Sequence, residues 1–207
     1  LSALSAAFGG IFTCNANKTE MTVGYGTLYG DLAGALAATA DLWKYQIYEL
    51  GRALNEWYGQ EVIPEGIFTV KPSAELSENQ DVTKGLGDPL IYEYHDYLLK
   101  SFVEPWQRNT PEDILAWYRE GTLEEHLGCS VKVKDLFPTH AAFIQDLERW
   151  WNLFAGFAVA KRIQAPPLIA ISRRPYGYDL RESQAGPYYT DRYLEMKEEM
   201  LQVVKGS

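Results

Sequence analysis

The chain has 207 residues, 46% of them hydrophobic and 23% charged, a composition that is typical of a folded globular protein and excludes a disordered one. Its formal net charge of −9 argues against broad contacts with a nucleic-acid backbone, which need a basic face, but leaves room for a small anion pocket. No apolar run approaches the roughly 20 residues of a membrane span. Two cysteines are too few for a disulfide framework, so we expect a cytoplasmic protein without nucleic-acid or membrane partners.

The first 20 residues are typical of an α/β unit. Residues 1–8 are rich in small side chains and stop at a glycine pair, which predicts the end of a helix. Residues 10–14 (GIFTC) then predict a short buried strand with Cys14 in the core, followed by a polar loop at 15–20 (NANKTE). Loops at the carboxyl ends of strands line the ligand crevice of open α/β sheets. The first residue is Leu1 rather than Met, and the opening segment lacks the basic region of a signal peptide. We therefore expect a helix cut off from upstream sequence, and so a fragment of a longer protein.

A glycine-rich block at residues 24–34 (GYGTLYGDLAG) fits neither the helix nor the strand period. It lacks the Gly-Lys-Ser/Thr of a P-loop and the context of a dinucleotide fingerprint. Glu20 and Asp31 stand out beside it, because carboxylates with a hydroxyl such as that of Ser73 are ligands that Mg²⁺ prefers, usually shared with substrate phosphates. From the pattern alone, a solvated acid at a helix start is the more frequent role of a residue like Glu20.

Residues 41–58 predict the clearest helix, with Asp41 as its N-cap and Gly59 after its end. Lys44 lies in the first turn, where a cation opposes the helix dipole. It is either an exposed lysine with a packed stem or a lysine held at a site for anionic groups. The apolar face of this helix comprises Trp43, Ile47, Leu50, Leu54 and Trp57.

The rest of the chain predicts a long loop and then mainly helices. The loop spans residues 61–88 and contains a short strand at 67–70. Residues 131–134 are too few to distinguish a strand from a loop, and the aromatic face of the long helix that opens at 138–139 predicts a core or a subunit interface. The predicted helices run from residue 91 to Pro105, over 110–121, over 122–128 with a capping box of Thr122 and Glu125, from 138–139 to about Lys161, and roughly over 189–204. Three scattered histidines lack zinc spacing, and no nucleophile elbow is present in the sequence.

Five blocks of the chain, taken in order, resemble the synthetase domain of NAD⁺ synthetases. The last of them resembles the C-terminal signature of the glutamine-dependent, multidomain branch, and the resemblance covers nearly the whole chain. The blocks are 14–20 (CNANKTE), 23–34 (VGYGTLYGDLAG), 41–44 (DLWK), 71–76 (KPSAEL), and 161–162 (KR) with 178–181 (YDLR).

The resemblance implies an α/β fold of the adenine-nucleotide α-hydrolase-like, Rossmann-like kind, of which residues 1–207 would be the C-terminal, mostly helical portion. It implies a homodimer or higher homo-oligomer and a carbon–nitrogen ligase that uses ATP and Mg²⁺. The nicotinate carboxylate of deamido-NAD⁺ is adenylated with release of pyrophosphate, and ammonia then displaces AMP to give NAD⁺. In the glutamine-dependent branch a separate glutaminase domain supplies the ammonia.

The resemblance also implies roles for particular residues around ATP. Glu20 corresponds to the Mg²⁺-binding glutamate, and Ser73 to a hydroxyl residue at the metal and the ATP phosphates. Asn15 corresponds to a position near ATP. Lys44 corresponds to a catalytic lysine that reaches the ATP phosphates.

The resemblance also implies residues that contact the other substrate, deamido-NAD⁺. Asp31 and Tyr29 belong to the Tyr-Gly-Asp block that makes this contact in the family. Lys161 corresponds to a catalytic lysine of a Lys-Arg pair that closes over the substrates. Ammonia-dependent members often carry a histidine just before this pair, where this chain has Ala160, and the difference favours the glutamine-dependent branch. The loops at 61–88 and 161–187 are the candidates for a cover that excludes water.

The family's Ser-Gly-Gly-x-Asp-Ser pyrophosphate loop does not occur in the 207 residues. We therefore expect that loop, and the glutaminase domain, upstream of Leu1, and we expect these 207 residues to be inactive by themselves. Two other interpretations also fit the sequence. One is a non-catalytic helical module for dimerisation or scaffolding. The other is a different ATP pyrophosphatase relative, which the Tyr-Gly-Asp block disfavours.

Overall fold

A computed structural model describes residues 1–73, 84, 87–175, 177 and 186–202, and in these ranges the chain folds mainly into α-helices. The helices of the first half are α1 (Ser2–Phe8), α2 (Lys18–Val23), α3 (Lys44–Tyr58), α4 (Glu65–Thr69) and α5 (Tyr92–Val103). Those of the second half are α6 (Pro111–Glu120), α7 (Leu123–Leu127), α8 (Val133–Leu136), α9 (His140–Ala155), α10 (Ala158–Ile163) and α11 (Asp191–Gln202). The expectation of a mostly helical chain is confirmed. No helix in the described ranges is long and apolar enough to cross a membrane.

Sheet structure is limited, among the described residues, to two isolated parallel bridges that join Thr13 to Leu36 and Ala37 to Leu168. The Cys14 amide donates to the Leu36 carbonyl at 2.9 Å, so extended segments lie side by side without forming a named strand. The predicted strand at 10–14 is therefore reduced to one bridge residue. Cys14 itself is 1% exposed, which confirms its place in the core.

Several predicted boundaries are wrong for identifiable reasons. Asp41 is not an N-cap: α3 begins at Lys44, and the Asp41 carboxylate instead accepts hydrogen bonds from the 171–172 backbone. Residues 67–70 do not form a strand, because the Glu61 carboxylate accepts from the Glu65 amide and α4 begins there. Residues 131–134 lead into helix α8, which begins at Val133. The Glu124 carboxylate accepts a hydrogen bond from the Val133 amide at 2.8 Å.

The main core lies between α5, α6, α9 and α11, which contact one another directly or through α7. The aromatic face of α9 lies in this core, as predicted. Phe157, which follows α9, is the exception at 61% exposed. The predicted apolar face of α3 is buried only in part: Trp43, at the N-cap, is fully buried, but Leu50 is 47% and Trp57 86% exposed. The largest buried aromatic side chains are Trp43, Tyr94, Phe102, Phe143, Trp150 and Tyr193.

Candidate functional site

A cavity of about 510 Å³ opens between the N-terminal end of α2, the start of α3 and the segment at 70–73. It brings together five of the seven residues that the sequence singles out: Asn15, Glu20, Asp31, Lys44 and Ser73. A neighbouring cavity of about 470 Å³ is also lined by Asn15 and Asp31, and it includes Tyr29. The remaining lining residues of the first cavity are Ala16, Tyr25, Val70, Lys71, Pro72 and Asp88.

Glu20 is positioned by the capping box of α2. The Asn17 side chain accepts from the Glu20 amide at 2.9 Å, and Glu20 Oε2 accepts from the Asn17 amide at 2.8 Å. Its other oxygen, Oε1, accepts from the Tyr92 hydroxyl at 3.0 Å. Burial raises the pKa of Glu20, while the two hydrogen bonds and nearby Lys44 oppose that rise. Glu20 is thus a helix-start acid, as its pattern predicts, but a half-buried one that lines the cavity.

Lys44 extends from the first turn of α3 into the same cavity. Its ammonium lies 5.4 Å from the centre of the Tyr48 ring and 5.5 Å from that of the Tyr92 ring, within the range of cation–π attraction. Lys71 also lines the cavity. Two cations in the same cavity as the Glu20 carboxylate suit a ligand that carries several negative charges and a metal ion.

Asp96 on α5 is a buried carboxylate close to the site. The sequence pattern does not reveal this residue. It accepts a hydrogen bond from the Thr19 hydroxyl and, at 3.0 Å, from the Tyr45 amide, so it ties α2 and α3 to α5. Burial raises the pKa of Asp96 to about 6, although these hydrogen bonds and Lys44 lower it.

The glycine-rich block is held by α10. Lys161 donates to the carbonyls of Gly24 at 2.8 Å and Gly26 at 2.6 Å, and Gln164 accepts from the Tyr29 amide at 2.5 Å. Gly24 has φ +66°, and a Cβ there would lie 2.9 Å from the Ala158 Cα. A glycine is therefore needed both for the left-handed turn and for the close approach of α10.

Lys161 differs from the other six predicted site residues. Its ammonium contacts the backbone of the glycine-rich block, and it does not line either cavity. Asp31 accepts from the Thr27 amide at 2.5 Å within the block, and Tyr29 is 82% exposed with φ 55°. Residues 74–76 of the fourth resemblance block and residues 178–181 of the fifth lie outside the described residues. Of the proposed cover at 61–88 and 161–187, residues 74–83, 85–86, 176 and 178–185 also lie outside them.

A largely buried ionic network joins the start of α2 to Asp41, Glu104 and the segment at 171–172. The Lys18 ammonium is 3.0 Å from Asp41 Oδ1, 3.3 Å from Glu104 Oε1 and 2.7 Å from the Ser172 hydroxyl. Asp41 also accepts from the amides of Ile171 and Ser172 at 2.7 and 2.6 Å. The network anchors the chain after α10 to the start of α2, which carries Glu20. A single aspartate shortly before a helix is too general a signal to reveal it.

Within the described part of the chain, no cluster of three or more His, Cys, Asp or Glu side chains is arranged to hold a metal ion unaided. Mg²⁺ is typically bound through one or two carboxylates together with substrate phosphates and water. The Glu20 carboxylate and the Ser73 hydroxyl share the cavity with two lysines, so the donor set fits a metal that arrives with a phosphorylated ligand.

Comparison with known proteins identifies the family. Residues 2–126, more than half of the chain, match the NAD synthase family, and the chain therefore belongs to it. A glutamine-dependent NAD(+) synthetase of Thermotoga maritima is 42% identical over 114 residues, which are 55% of this chain and 19% of that protein. A glutamine-dependent NAD(+) synthetase of Xanthomonas campestris is 33% identical over 182 residues, 87% of this chain and 28% of that protein.

An NH(3)-dependent NAD(+) synthetase of Trichlorobacter lovleyi is 35% identical over 116 residues, 56% of this chain and 39% of that protein. The crystal structure of a glutamine-dependent NAD(+) synthetase from Cytophaga hutchinsonii superposes on 96% of this chain with a TM-score of 0.57. At 16% sequence identity this likeness shows the fold alone. The chain covers 28% of that structure, and it spans only a part of every relative named here.

Proposed function

We propose that this chain supplies the metal and substrate-binding half of an NAD⁺ synthetase site. In the proposed reaction the nicotinate carboxylate of deamido-NAD⁺ attacks the α-phosphorus of ATP, and the bond to pyrophosphate breaks. Ammonia then attacks the carbonyl carbon of the acyl-adenylate, AMP leaves and NAD⁺ forms. The observation that carries this proposal is the convergence of Asn15, Glu20, Asp31, Lys44 and Ser73 on adjoining cavities.

The charges of the first cavity suit the ATP side of this reaction. Lys44 and Lys71 offset the negative charge of the triphosphate, which otherwise repels the attacking carboxylate. Mg²⁺, when bound through Glu20 and Ser73, supplies further charge neutralisation on the phosphates. Asn15 lines both cavities and is placed to contact a nucleotide that bridges them.

The second cavity suits deamido-NAD⁺. Asp31 lines both cavities and Tyr29 the second, so a ligand there would lie beside one in the first cavity. Two adjacent bound substrates are what in-line attack requires. We propose that Lys161 shapes this region through the carbonyls of Gly24 and Gly26, and reaches substrate only by leaving them.

We further propose the glutamine-dependent branch, with ammonia from a glutaminase domain of the longer protein. The alignment to the glutamine-dependent Xanthomonas relative extends over 87% of the chain, and Ala160 stands where ammonia-dependent members often carry a histidine. The parallel bridges support a sheet of the α-hydrolase-like, Rossmann-like kind, completed by residues outside this sequence. The exposed Leu50 and Trp57 on α3 support burial against another surface, such as a second copy in a homo-oligomer.

The experiment that tests the proposal is a calorimetric titration of the chain with ATP, in Mg²⁺ and in EDTA. We expect binding that is stronger with Mg²⁺ and that Glu20→Gln weakens about tenfold, because a charged metal ligand becomes neutral. The exposed Glu65→Gln is the matched control and leaves binding unchanged. A scaffold module would show no Mg²⁺-dependent binding. These 207 residues are expected to release no AMP in the presence of deamido-NAD⁺ and ammonia, and AMP release would contradict that expectation.

A further inference from the structure

Tyr92, the first residue of α5, contacts two charged side chains of the first cavity, Glu20 and Lys44. Its hydroxyl donates to Glu20 Oε1 at 3.0 Å, and its ring centre lies 5.5 Å from the Lys44 ammonium. The side chain is 7% exposed, so it does not compete for space in the cavity, and it is absent from the residues that line it. One buried side chain thus contacts a carboxylate through its hydroxyl and a cation through its ring.

These contacts leave Glu20 and Lys44 little freedom. Glu20 is held at both oxygens, by Tyr92 at Oε1 and by the Asn17 amide at Oε2, and each oxygen keeps a lone pair for another partner. The Lys44 ammonium lies within cation–π range of two rings, those of Tyr48 and Tyr92. A long lysine side chain held in this way loses less conformational entropy when it binds an anion.

Tyr92 has buried residues close to it on both sides in the chain. The preceding Leu90 is 4% exposed and the following Tyr94 is fully buried, so the start of α5 is fixed in the core. The ring therefore approaches the cavity from a rigid element.

We propose that Tyr92 is a positioning residue that aligns the metal carboxylate and the phosphate lysine with each other. This inference rests on the proposed function, because it assigns Glu20 to the metal and Lys44 to the phosphates. Tyr92 acts through these two side chains and touches neither metal nor nucleotide. Its hydroxyl orients the Glu20 carboxylate, and its ring orients the Lys44 ammonium.

Two variants separate the two contacts. Tyr92→Phe removes the hydroxyl and keeps the ring, whereas Tyr92→Leu removes both. Tyr193→Phe is the matched control, because Tyr193 is also buried and donates to a glutamate, Glu148 Oε1, at 3.1 Å in the α9–α11 core. A tyrosine with only a structural role would behave like Tyr193.

The first measurement is the affinity for Mn²⁺, by electron paramagnetic resonance with ATP present, together with ATP affinity in EDTA. We expect Tyr92→Phe to weaken Mn²⁺ binding about tenfold, as the loss of a charged hydrogen bond implies, and to leave metal-free ATP binding within twofold. Tyr92→Leu weakens both affinities, and Tyr193→Phe weakens neither. Unchanged Mn²⁺ affinity in Tyr92→Phe, with wild-type binding intact, would overturn the inference alone. Wild-type protein that binds no metal with ATP would overturn the proposed function and, with it, the inference.

A second measurement needs no ligand. Lysines reductively methylated with ¹³C-formaldehyde give one methyl signal for each side chain, and Lys44→Arg assigns that of Lys44. We expect Tyr92→Phe to keep the ring-current shift of this signal and Tyr92→Leu to move it towards the signals of exposed lysines. If Tyr92→Leu leaves the shift unchanged, the ring does not hold Lys44 and the inference is wrong.

Discussion

Replacing Asp41 by asparagine removes the negative charge from a buried ionic network and keeps the shape of the side chain. Asp41 is 2% exposed, and its carboxylate accepts from Lys18 and from the backbone and hydroxyl of Ser172. Among the described residues, the fully buried Lys18 ammonium then keeps one charged partner, Glu104 at 3.3 Å. Breaking a buried ion pair by removing one partner costs about 3–5 kcal/mol. Because Glu104 remains, we expect a loss of about 3 kcal/mol in the free energy of unfolding.

The pH dependence gives an independent check. Burial raises the pKa of Asp41, but the hydrogen bonds from Ser172 and Ile171 and the Lys18 ammonium outweigh it, so the pKa lies below its ordinary value. A carboxyl with a lowered folded-state pKa contributes stability above its unfolded pKa of about 3.9, and that contribution is lost as the pH falls through the folded value. The difference in free energy of unfolding between wild type and Asp41→Asn is therefore expected to be constant from about pH 5 to 7 and to become smaller below about pH 4.

The assay is urea denaturation followed by tryptophan fluorescence, with unchanged m-values as the condition for comparing free energies. Glu199→Gln is the control, because its pair with Arg119 at 3.3 Å is solvent-exposed and such pairs contribute about 0–1 kcal/mol. If Asp41→Asn costs no more than Glu199→Gln, or if the difference does not narrow in acid, the network does not anchor the chain as described.

Two further predictions concern the glycine-rich block. Gly24→Ala is expected to cost about 2 kcal/mol or more in urea denaturation, because it combines a left-handed φ with overlap on Ala158, while Gly59→Ala, at φ +61° in open space, costs about 1 kcal/mol. Equal costs at the two positions would refute the close packing of α10. Lys161→Met is expected to speed hydrogen exchange of the amides at 26–31 without affecting those of α9, because the carbonyls of Gly24 and Gly26 lose their donor. Unchanged exchange at 26–31 would show that Lys161 does not hold the block.

The local signals in the sequence predict the helices well where capping and periodicity agree. Thr110 with Asp113 forms the capping box of α6, and Gly121 ends that helix in the left-handed conformation. Thr122 also begins its helix, but it makes no side-chain cap, because the predicted hydrogen bond depends on backbone geometry that spacing does not fix. The strand at 10–14 fails for another reason: strand pairing depends on distant partners, and here only single bridges form among the described residues.

The candidate site is predicted less completely than the helices. The resemblance brings Asn15, Glu20, Asp31, Lys44 and Ser73 to attention, and the structure places all of them on the first cavity. Their roles remain predictions. The supporting contacts cannot be predicted from the sequence, because they join segments that lie far apart in the chain. They involve Tyr92, Asp96, Asp41 and Lys18. No short spacing links Thr19 to Asp96 or Lys18 to Ser172.

The most direct test of the account locates a metal–nucleotide complex on the chain. Mn²⁺ with ATP, added to ¹⁵N-labelled protein, broadens the amide signals of residues close to the metal. The account predicts selective broadening at residues 15–20, at Lys44 and at Ser73, with the amides of α11 unaffected, and loss of the effect in Glu20→Gln. Broadening that is absent, or that is centred away from this cavity, would contradict the claim that the chain supplies the metal and phosphate side of the site.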